Sequence, residues 1–164
     1  MEEPKILETG EKILVGMRIT TTLLEGRESE LWRTFRSRAS EIPERTGINF
    51  FSVKVYGADY SFSSRFDPNA AFDKWAAIEV ANFVEVHEDF EQLIIPVGRY
   101  AVFIHYGTPA MAAVTFGHIF GSWLPNSDFE VDHRPHFEVL GDKWSPFDPE
   151  AEEEVWVPVT TRRQ

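Results

Sequence analysis

Six stretches of the chain are predicted to form β-strands, and where their hydrophobic and polar residues alternate, the period of two is typical of a half-buried strand. In the first stretch, Met17 and Ile19 alternate with Gly16, Arg18 and Thr20. The predicted strands are residues 6–21, 49–56, 72–82, 92–106, 129–140 and 154–160. Within residues 92–106 a proline and a glycine predict a bend or bulge. Residues 57–70 are polar and rich in serine, so they are predicted to form a loop.

Two other stretches repeat their hydrophobic residues with the 3.6-residue period of a helix. The first helix is predicted to begin at the N-cap Ser29 and to end before Pro43. The second begins with Thr108 as N-cap and Pro109 at the first helical position, and it ends at Pro125. The apolar stripes are Leu31, Phe35, Ala39 and Ile42 in the first helix and Ala112, Phe116, Ile119 and Trp123 in the second.

The order of these elements predicts a single domain over residues 1–164, made of two pseudo-symmetric halves at about residues 1–82 and 83–164. Each half contains one helix among three or four strands. Runs of strands around a single helix predict an α+β fold, with a curved antiparallel sheet and both helices on one face. We expect a groove where the halves meet, and such junctions are common ligand sites.

The charge balance narrows the classes of partner. The chain has 16 Lys and Arg against 27 Asp and Glu, a formal net charge of −11. Such a chain lacks the basic face that nucleic-acid binding needs, and it is repelled by an anionic membrane. No apolar run is long enough to span a membrane, and the acidic N-terminus does not resemble a secretory signal. We therefore expect a cytoplasmic protein that binds neither nucleic acid nor membrane.

Neither a metal nor another cofactor is expected. The chain has no cysteine, so it has no thiolate ligand, thiol nucleophile or disulfide. His133 and His136 are three residues apart, an offset that places them on opposite faces of an extended strand.

Four segments in the second half of the chain resemble the motifs of a known family. They are IPVGRYAVFIHYG at residues 95–107, IFGSWLPNS at 119–127, PHFE at 135–138 and VWVPV at 155–159. In order and spacing they are similar to the conserved segments of the GyrI-like small-molecule-binding family. That family includes the DNA gyrase inhibitory protein and the effector-binding domains of AraC-type and MerR-type multidrug-responsive regulators.

The resemblance implies a small-molecule-binding domain, and the departures from it bear on the ligand. Trp75-Ala76-Ala77 stands where the family often has Tyr-Ala-Gly, and Leu140 replaces a tyrosine, so we expect a changed aromatic wall and a changed ligand. The regulators carry a DNA-binding domain in front of this one. Only a short segment precedes the first predicted strand, so the chain is expected to be a stand-alone domain.

Glu138 is the principal candidate site residue. It lies between Phe137 and Val139 in an apolar strand, where a carboxylate is costly to bury unless it is paired. The family resemblance implies that this position holds the acidic group at the base of the groove. A carboxylate among aromatic rings suits a small hydrophobic or cationic ligand. The alternative is a glutamate that faces outwards beside an arginine such as Arg134.

Aromatic residues of the strands are the candidates for the wall of the groove. They are Phe51, Tyr56, Trp75, Tyr100, Tyr106, Phe137 and Trp156. Each is at least as well explained by ordinary core packing. Trp75, at the aromatic position of the family's third strand, is the preferred wall residue, and Trp156 follows it.

Three functions remain open at the level of sequence. The favoured one is the binding of a small aromatic or cationic molecule, with Glu138 as its electrostatic anchor. The second is a hydrolase of reactive hydrophobic cytotoxins, as some relatives are, with Glu138 as base and Tyr100 as its partner. The third is a gyrase-inhibitor-like regulator that contacts a protein partner, which the sequence does not identify.

Overall fold

A computed structural model, which describes residues 2–62, 67 and 69–163, has nine antiparallel strands in one curved sheet. The strands are β1 Lys5–Thr9, β2 Lys12–Thr21, β3 Phe50–Tyr56, β4 Phe72–Val80, β5 Glu91–Ile95, β6 Gly98–Tyr106, β7 Phe129–Val131, β8 His136–Leu140 and β9 Glu152–Thr161. Their spatial order is β1-β6-β9-β8-β3-β4-β2-β5, and β7 pairs with β9. The α+β class, the curved sheet and the two main helices predicted from the sequence are confirmed.

The first helix is α1, Glu28–Arg38, which a 3₁₀ turn, Ala39–Glu41, extends. The second helical segment joins a 3₁₀ turn, α2, a π-helical turn and α3: Pro109–Met111, Ala112–His118, Ile119–Trp123 and Leu124–Asn126. Thr108 is the N-cap residue and Pro109 follows it at the start of the helical segment, as predicted, although the Thr108 side chain makes no capping hydrogen bond. The prediction for Ser29 is wrong, because α1 begins one residue earlier and its N-cap residue is Arg27. Among the described residues no helix is long and apolar enough to cross a membrane.

Three of the predicted strands are wrong in extent, because each is two strands in the structure. Residues 6–21 divide into β1 and β2, and residues 92–106 divide into β5 and β6 around Pro96. Residues 129–140 divide into β7 and β8 around a turn in which the Arg134 amide donates to the Asp132 carbonyl, just before Pro135. A proline has no N–H to continue a ladder, which explains the second and third breaks.

These breaks let the two halves of the chain exchange their edge strands. The first break separates β1, which pairs with β6 of the second half, from β2, which pairs with β4 of the first half. The second break separates β5 from β6, so that β5, which belongs to the second half in sequence, pairs with β2 of the first half. The described parts of the predicted loop, residues 57–62, 67, 69 and 70, lie outside the strands and helices.

The two faces of the sheet bury different sets of side chains. On one face, called the inner face below, Leu14 and Ile95 from one end of the sheet pack in the same cluster as Tyr100 and Val102 from the other. The sheet therefore curls around this face and fills it with side chains. The other face, called the helix face, carries α1 over a cluster around Phe35 and carries the second helical segment over a cluster around Phe103.

Candidate functional site

Charged and polar side chains lie on the helix face along the strip between the two helices. Ser52 is directly opposite Glu138, and Lys54 is directly opposite both His136 and Lys74. Because cross-strand partners share a face, one alternating set from β3, β4, β8 and β9 points to this strip. We call the set the groove floor: Ser52, Lys54, Lys74, His136, Glu138 and Glu153.

The two glutamates of the groove floor form a coupled carboxyl pair. Glu153 is only 7% exposed, and Glu138 is half-buried beside it. Burial first, and then the charge of Glu138, raise the pKa of Glu153 to about 8. At neutral pH Glu153 therefore keeps its proton and donates it in a hydrogen bond to Glu138.

The two lysines of the groove floor differ in burial. Lys74 is 4% exposed, and burial together with the neighbouring Lys54 lowers its pKa, while Glu138, Glu28 and Glu153 act in the opposite direction. Its Nζ lies 3.8 Å from Glu28 Oε1. Lys54 is half-buried, and its Nζ lies 4.7 Å from the centre of the Phe116 ring.

His136 is the neutral member of the groove floor. Burial lowers its pKa to about 3, with smaller effects from Lys54 and Arg134, so the imidazole is uncharged at neutral pH. Its ring stacks on Phe62 at 4.9 Å between centroids. Among residues 2–62, 67 and 69–163, no three His, Asp or Glu side chains are placed to hold a metal ion.

Aromatic rings cover the groove floor. Phe62, from the segment after β3, stacks on Phe120 of the second helical segment at 5.9 Å and meets Tyr60 at 4.7 Å. Phe116 stacks on Phe120 at 6.4 Å. We call Tyr60, Phe62, Phe116 and Phe120 the aromatic roof. Tyr56 lies beside it, with its ring 5.0 Å from that of Phe62. Burial raises the pKa of Tyr56, and so do Tyr60 and Glu138.

Two open cavities lie away from this strip. One of about 380 Å³ lies between α1 and β2, but its arginines already have carboxylate partners: Arg18 contacts Asp73 and Glu91, and Arg38 contacts Glu41 and Asp89. The other, of about 250 Å³, lies beside Arg99 and Arg134. We place the candidate site at the groove floor because Lys74 and Glu153 are buried there and, among the described residues, Glu138 has no cation within 4 Å.

Two of the residues singled out from the sequence belong to this strip. Glu138 lies in the groove floor, half-buried and facing the helices. Tyr56 lies at the end of β3 on the same face and contacts His136 with 5.2 Å between ring centroids. The alternative in which Glu138 pairs with Arg134 is not seen, since Arg134 pairs with Asp132 at 2.8 Å.

Five of the candidate wall residues lie on the inner face, away from Glu138. They are Phe51, Trp75, Tyr100, Phe137 and Trp156, all packed in one cluster. Phe137 stacks on Trp156 at 5.1 Å and meets Tyr100 at 5.2 Å. Adjacent strand residues point to opposite faces, so Phe137 and Glu138 do not line one side of the sheet. The structure brings these rings together as core and does not bring them to the groove floor.

The remaining tyrosine candidates also lie apart from Glu138. The Tyr100 hydroxyl donates to the Pro135 carbonyl at 2.8 Å, and burial raises the pKa of this phenol to about 12. Tyr106 is exposed at the end of β6, where its hydroxyl donates to Glu2 at 3.4 Å. The predicted partnership of Tyr100 with Glu138 is therefore not present in this arrangement.

Several residues of the site were missed in the sequence. Lys54 and Lys74 each interrupt an apolar strand, and this is the same signal that singled out Glu138. Glu153 lies in an acidic run and is recognisable only once the register with β8 is known. Phe116 and Phe120 fall on or beside the apolar stripe of a helix, and Phe62 lies in a predicted loop, so nothing in the sequence marks them as a group.

The chain belongs to the family of GyrI-like small molecule binding domains, because the sequence model of that family matches residues 2–160. The transcriptional regulator BrlR of Pseudomonas aeruginosa is 25% identical over 156 residues, covering 94% of this chain and 54% of that protein. The chain thus spans about half the length of this relative.

Solved structures share the fold. SAV2435 bound to tetraphenylphosphonium has a TM-score of 0.75 at 15% identity, over 97% of this chain and 94% of that one. The C-terminal domain of EcmrR has a TM-score of 0.72 at 13% identity, over 98% of both chains. At such identities the likeness shows the fold alone.

Proposed function

We propose that the chain captures a small aromatic molecule with a cationic group between the groove floor and the aromatic roof. Glu138 is the anionic anchor in this proposal. The observation that carries it is a half-buried carboxylate that has no cation within 4 Å among the described residues and shares its face of the sheet with His136 and Lys54, which the aromatic roof contacts. The binding of tetraphenylphosphonium by a protein of the same fold supports the ligand class.

The aromatic roof supplies the apolar part of the interaction. Faces of aromatic rings attract a cation within about 6 Å of their centre, by roughly 0.5–2 kcal/mol for each favourable contact. Displacing the Phe62 ring from Phe120 and His136 would open a slot with aromatic walls and a polar base. A flat or aryl-bearing cation fits such a slot because it replaces the ring contacts that it disrupts.

Calorimetric titration with tetraphenylphosphonium tests the proposal. Two unit charges about 6 Å apart attract by about 3 kcal/mol at an effective dielectric constant of about 20, so loss of the anchor is expected to weaken Kd at least about tenfold. In Glu138→Gln the charge of Glu138 no longer adds to the effect of burial on the pKa of Glu153, so Glu153 ionises more readily and can compensate. The decisive variant is therefore the double substitution Glu138→Gln/Glu153→Gln, with the exposed Glu150→Gln as control. Equal Kd values for wild type, double variant and control would refute the proposal.

The carboxyl pair supports a second candidate, a hydrolase. A protonated Glu153 that donates to an ionised Glu138 provides an acid and a base in one covered site, as hydrolysis of an electrophilic ring requires. Incubation with an epoxide-bearing aromatic compound, followed by mass spectrometry, tests this candidate. The expected product gains one water, and its formation stops in the double variant. A product that forms equally fast with the double variant would exclude the pair as catalytic residues.

A further inference from the structure

We propose that the preferred ligand also carries an acidic group, which Lys54 and Lys74 bind. The site would then select zwitterionic aromatic molecules. This inference rests on the proposed function, because it names the ligand class of the same groove. It adds a preference for an anionic group on the ligand, which a carboxylate anchor alone does not explain.

The geometry of the lysine pair is the first support. Lys54 on β3 and Lys74 on β4 are directly opposite each other and point to the same face. Like charges at directly opposite positions destabilise a sheet. Here one of the two is also buried to 4% exposure, where an ammonium is costly without an anionic partner. A ligand carboxylate above this pair would contact both ammonium groups and offset their repulsion.

No carboxylate of the groove floor lies within 4 Å of either lysine Nζ, although Glu138 and Glu153 act to raise the pKa of Lys74 from a greater distance. Among the described residues, the one carboxylate within 4 Å of either lysine Nζ is Glu28, at 3.8 Å from Lys74. Glu28 is itself nearly half-exposed, so it screens Lys74 weakly. No described carboxylate lies within 4 Å of Lys54 Nζ. The strip therefore holds a positive end and a negative end that are close but not in contact.

The spacing of the two ends defines the ligand further. Lys54 lies diagonally across the β3–β8 pair from Glu138, because Ser52, two residues before it, is directly opposite Glu138. Diagonal neighbours in a sheet are about 7–8 Å apart. The amine and the acid of the ligand should therefore lie at opposite ends of one aromatic ring. The aromatic roof would then cover the ring between them.

A matched set of four ligands separates the charges. The set is 4-(aminomethyl)benzoate, its methyl ester, its N-acetyl derivative and the N-acetyl methyl ester, which are zwitterion, cation, anion and neutral compound with one common ring. Affinities at pH 7 are measured by NMR titration for wild type and Lys54→Met, with the exposed Lys5→Met as control. Lys54→Arg, which keeps the charge, guards against a purely structural effect of the substitution.

We expect wild type, Lys5→Met and Lys54→Arg to bind the zwitterion about tenfold more tightly than its ester, the value of one charge contact. In Lys54→Met this preference should fall to about twofold or less. A wild type that binds the ester as tightly as the zwitterion overturns the inference without recourse to any variant. So does a preference that survives in Lys54→Met, or a wild type that binds no member of the set.

Failure of this inference is distinguishable from failure of the proposed function. If tetraphenylphosphonium binds in a manner that depends on the glutamate pair, while the zwitterion shows no advantage over its ester, the lysine pair is not an anion acceptor and the proposed function stands. If tetraphenylphosphonium is indifferent to the glutamates, the proposed function fails by its own test.

Discussion

Replacing Glu153 by Gln should remove a pH dependence of stability that follows from the buried carboxyl pair. The pKa of Glu153 rises from an ordinary 4.5 to about 8 in the folded chain. Between these values the unfolded chain has lost this proton while the folded chain keeps it, so the stability contribution of Glu153 falls as pH rises. A difference of one pKa unit is about 1.4 kcal/mol.

From pH 6.5 to pH 8 the wild type should therefore lose about 1.5 kcal/mol relative to Glu153→Gln. For a chain of this size that loss lowers Tm by about 3–6 °C. The assay is urea or thermal unfolding of wild type, Glu153→Gln and the exposed control Glu150→Gln at both pH values. Comparison with the variant cancels the titration of every group that does not interact with Glu153. Parallel curves for wild type and Glu153→Gln would show that Glu153 ionises normally and would refute the coupled pair.

Three further outcomes follow from the packing. Gly16→Ala should lower the free energy of unfolding by about 1–3 kcal/mol in urea denaturation, because its Cβ would clash with the Ala76 carbonyl oxygen; unchanged stability would contradict this close approach. Phe137→Leu should cost about 1 kcal/mol of stability and leave the tetraphenylphosphonium Kd unchanged, whereas Phe120→Leu should weaken that Kd about threefold in calorimetry; the reverse pattern would move the site to the inner face. An NMR titration of His136 should show the imidazole neutral down to about pH 4, given its pKa of about 3; a midpoint near 6.5 would contradict its burial.

Local patterns were sufficient for most of the secondary structure. The apolar pattern located β3, β4 and β9 to within two residues, because each strand buries at least one face against the core and pairs with neighbouring strands. The helical stripe around Phe35 located α1 for the same reason: it is buried against the sheet on one side only. These signals depend on neighbours in sequence, and so a single sequence contains them.

The strand breaks depend on partners that are distant in sequence. The chain around Gly10 separates β1 from β2 because the two pair with β6 and β4, at different places in the sheet. Alternation continues across such a break and does not reveal it. The exchange of β1 and β5 between halves is likewise a matter of pairing, and it is visible only in three dimensions.

The candidate site was only partly predictable for a related reason. Glu138 was recognised because a charge stands in an apolar strand, and Lys54 and Lys74 offered the same signal. The inner-face aromatics were grouped with Glu138 because the sequence does not indicate which face of each strand lines the groove. Phe137 and Glu138 are adjacent in β8, so their side chains point to opposite faces of the sheet. The register of β8 with β3 and β9 then identifies Ser52 and Glu153 as neighbours of Glu138.

A crystal structure of the chain with tetraphenylphosphonium would test the central claim most directly. The expected result is a phosphonium on the helix face between α1 and the second helical segment, near the Glu138 carboxylate, with the Phe62 ring displaced from His136. A phosphonium on the inner face against Trp75 and Phe137, or in the cavity between α1 and β2, would contradict the claim.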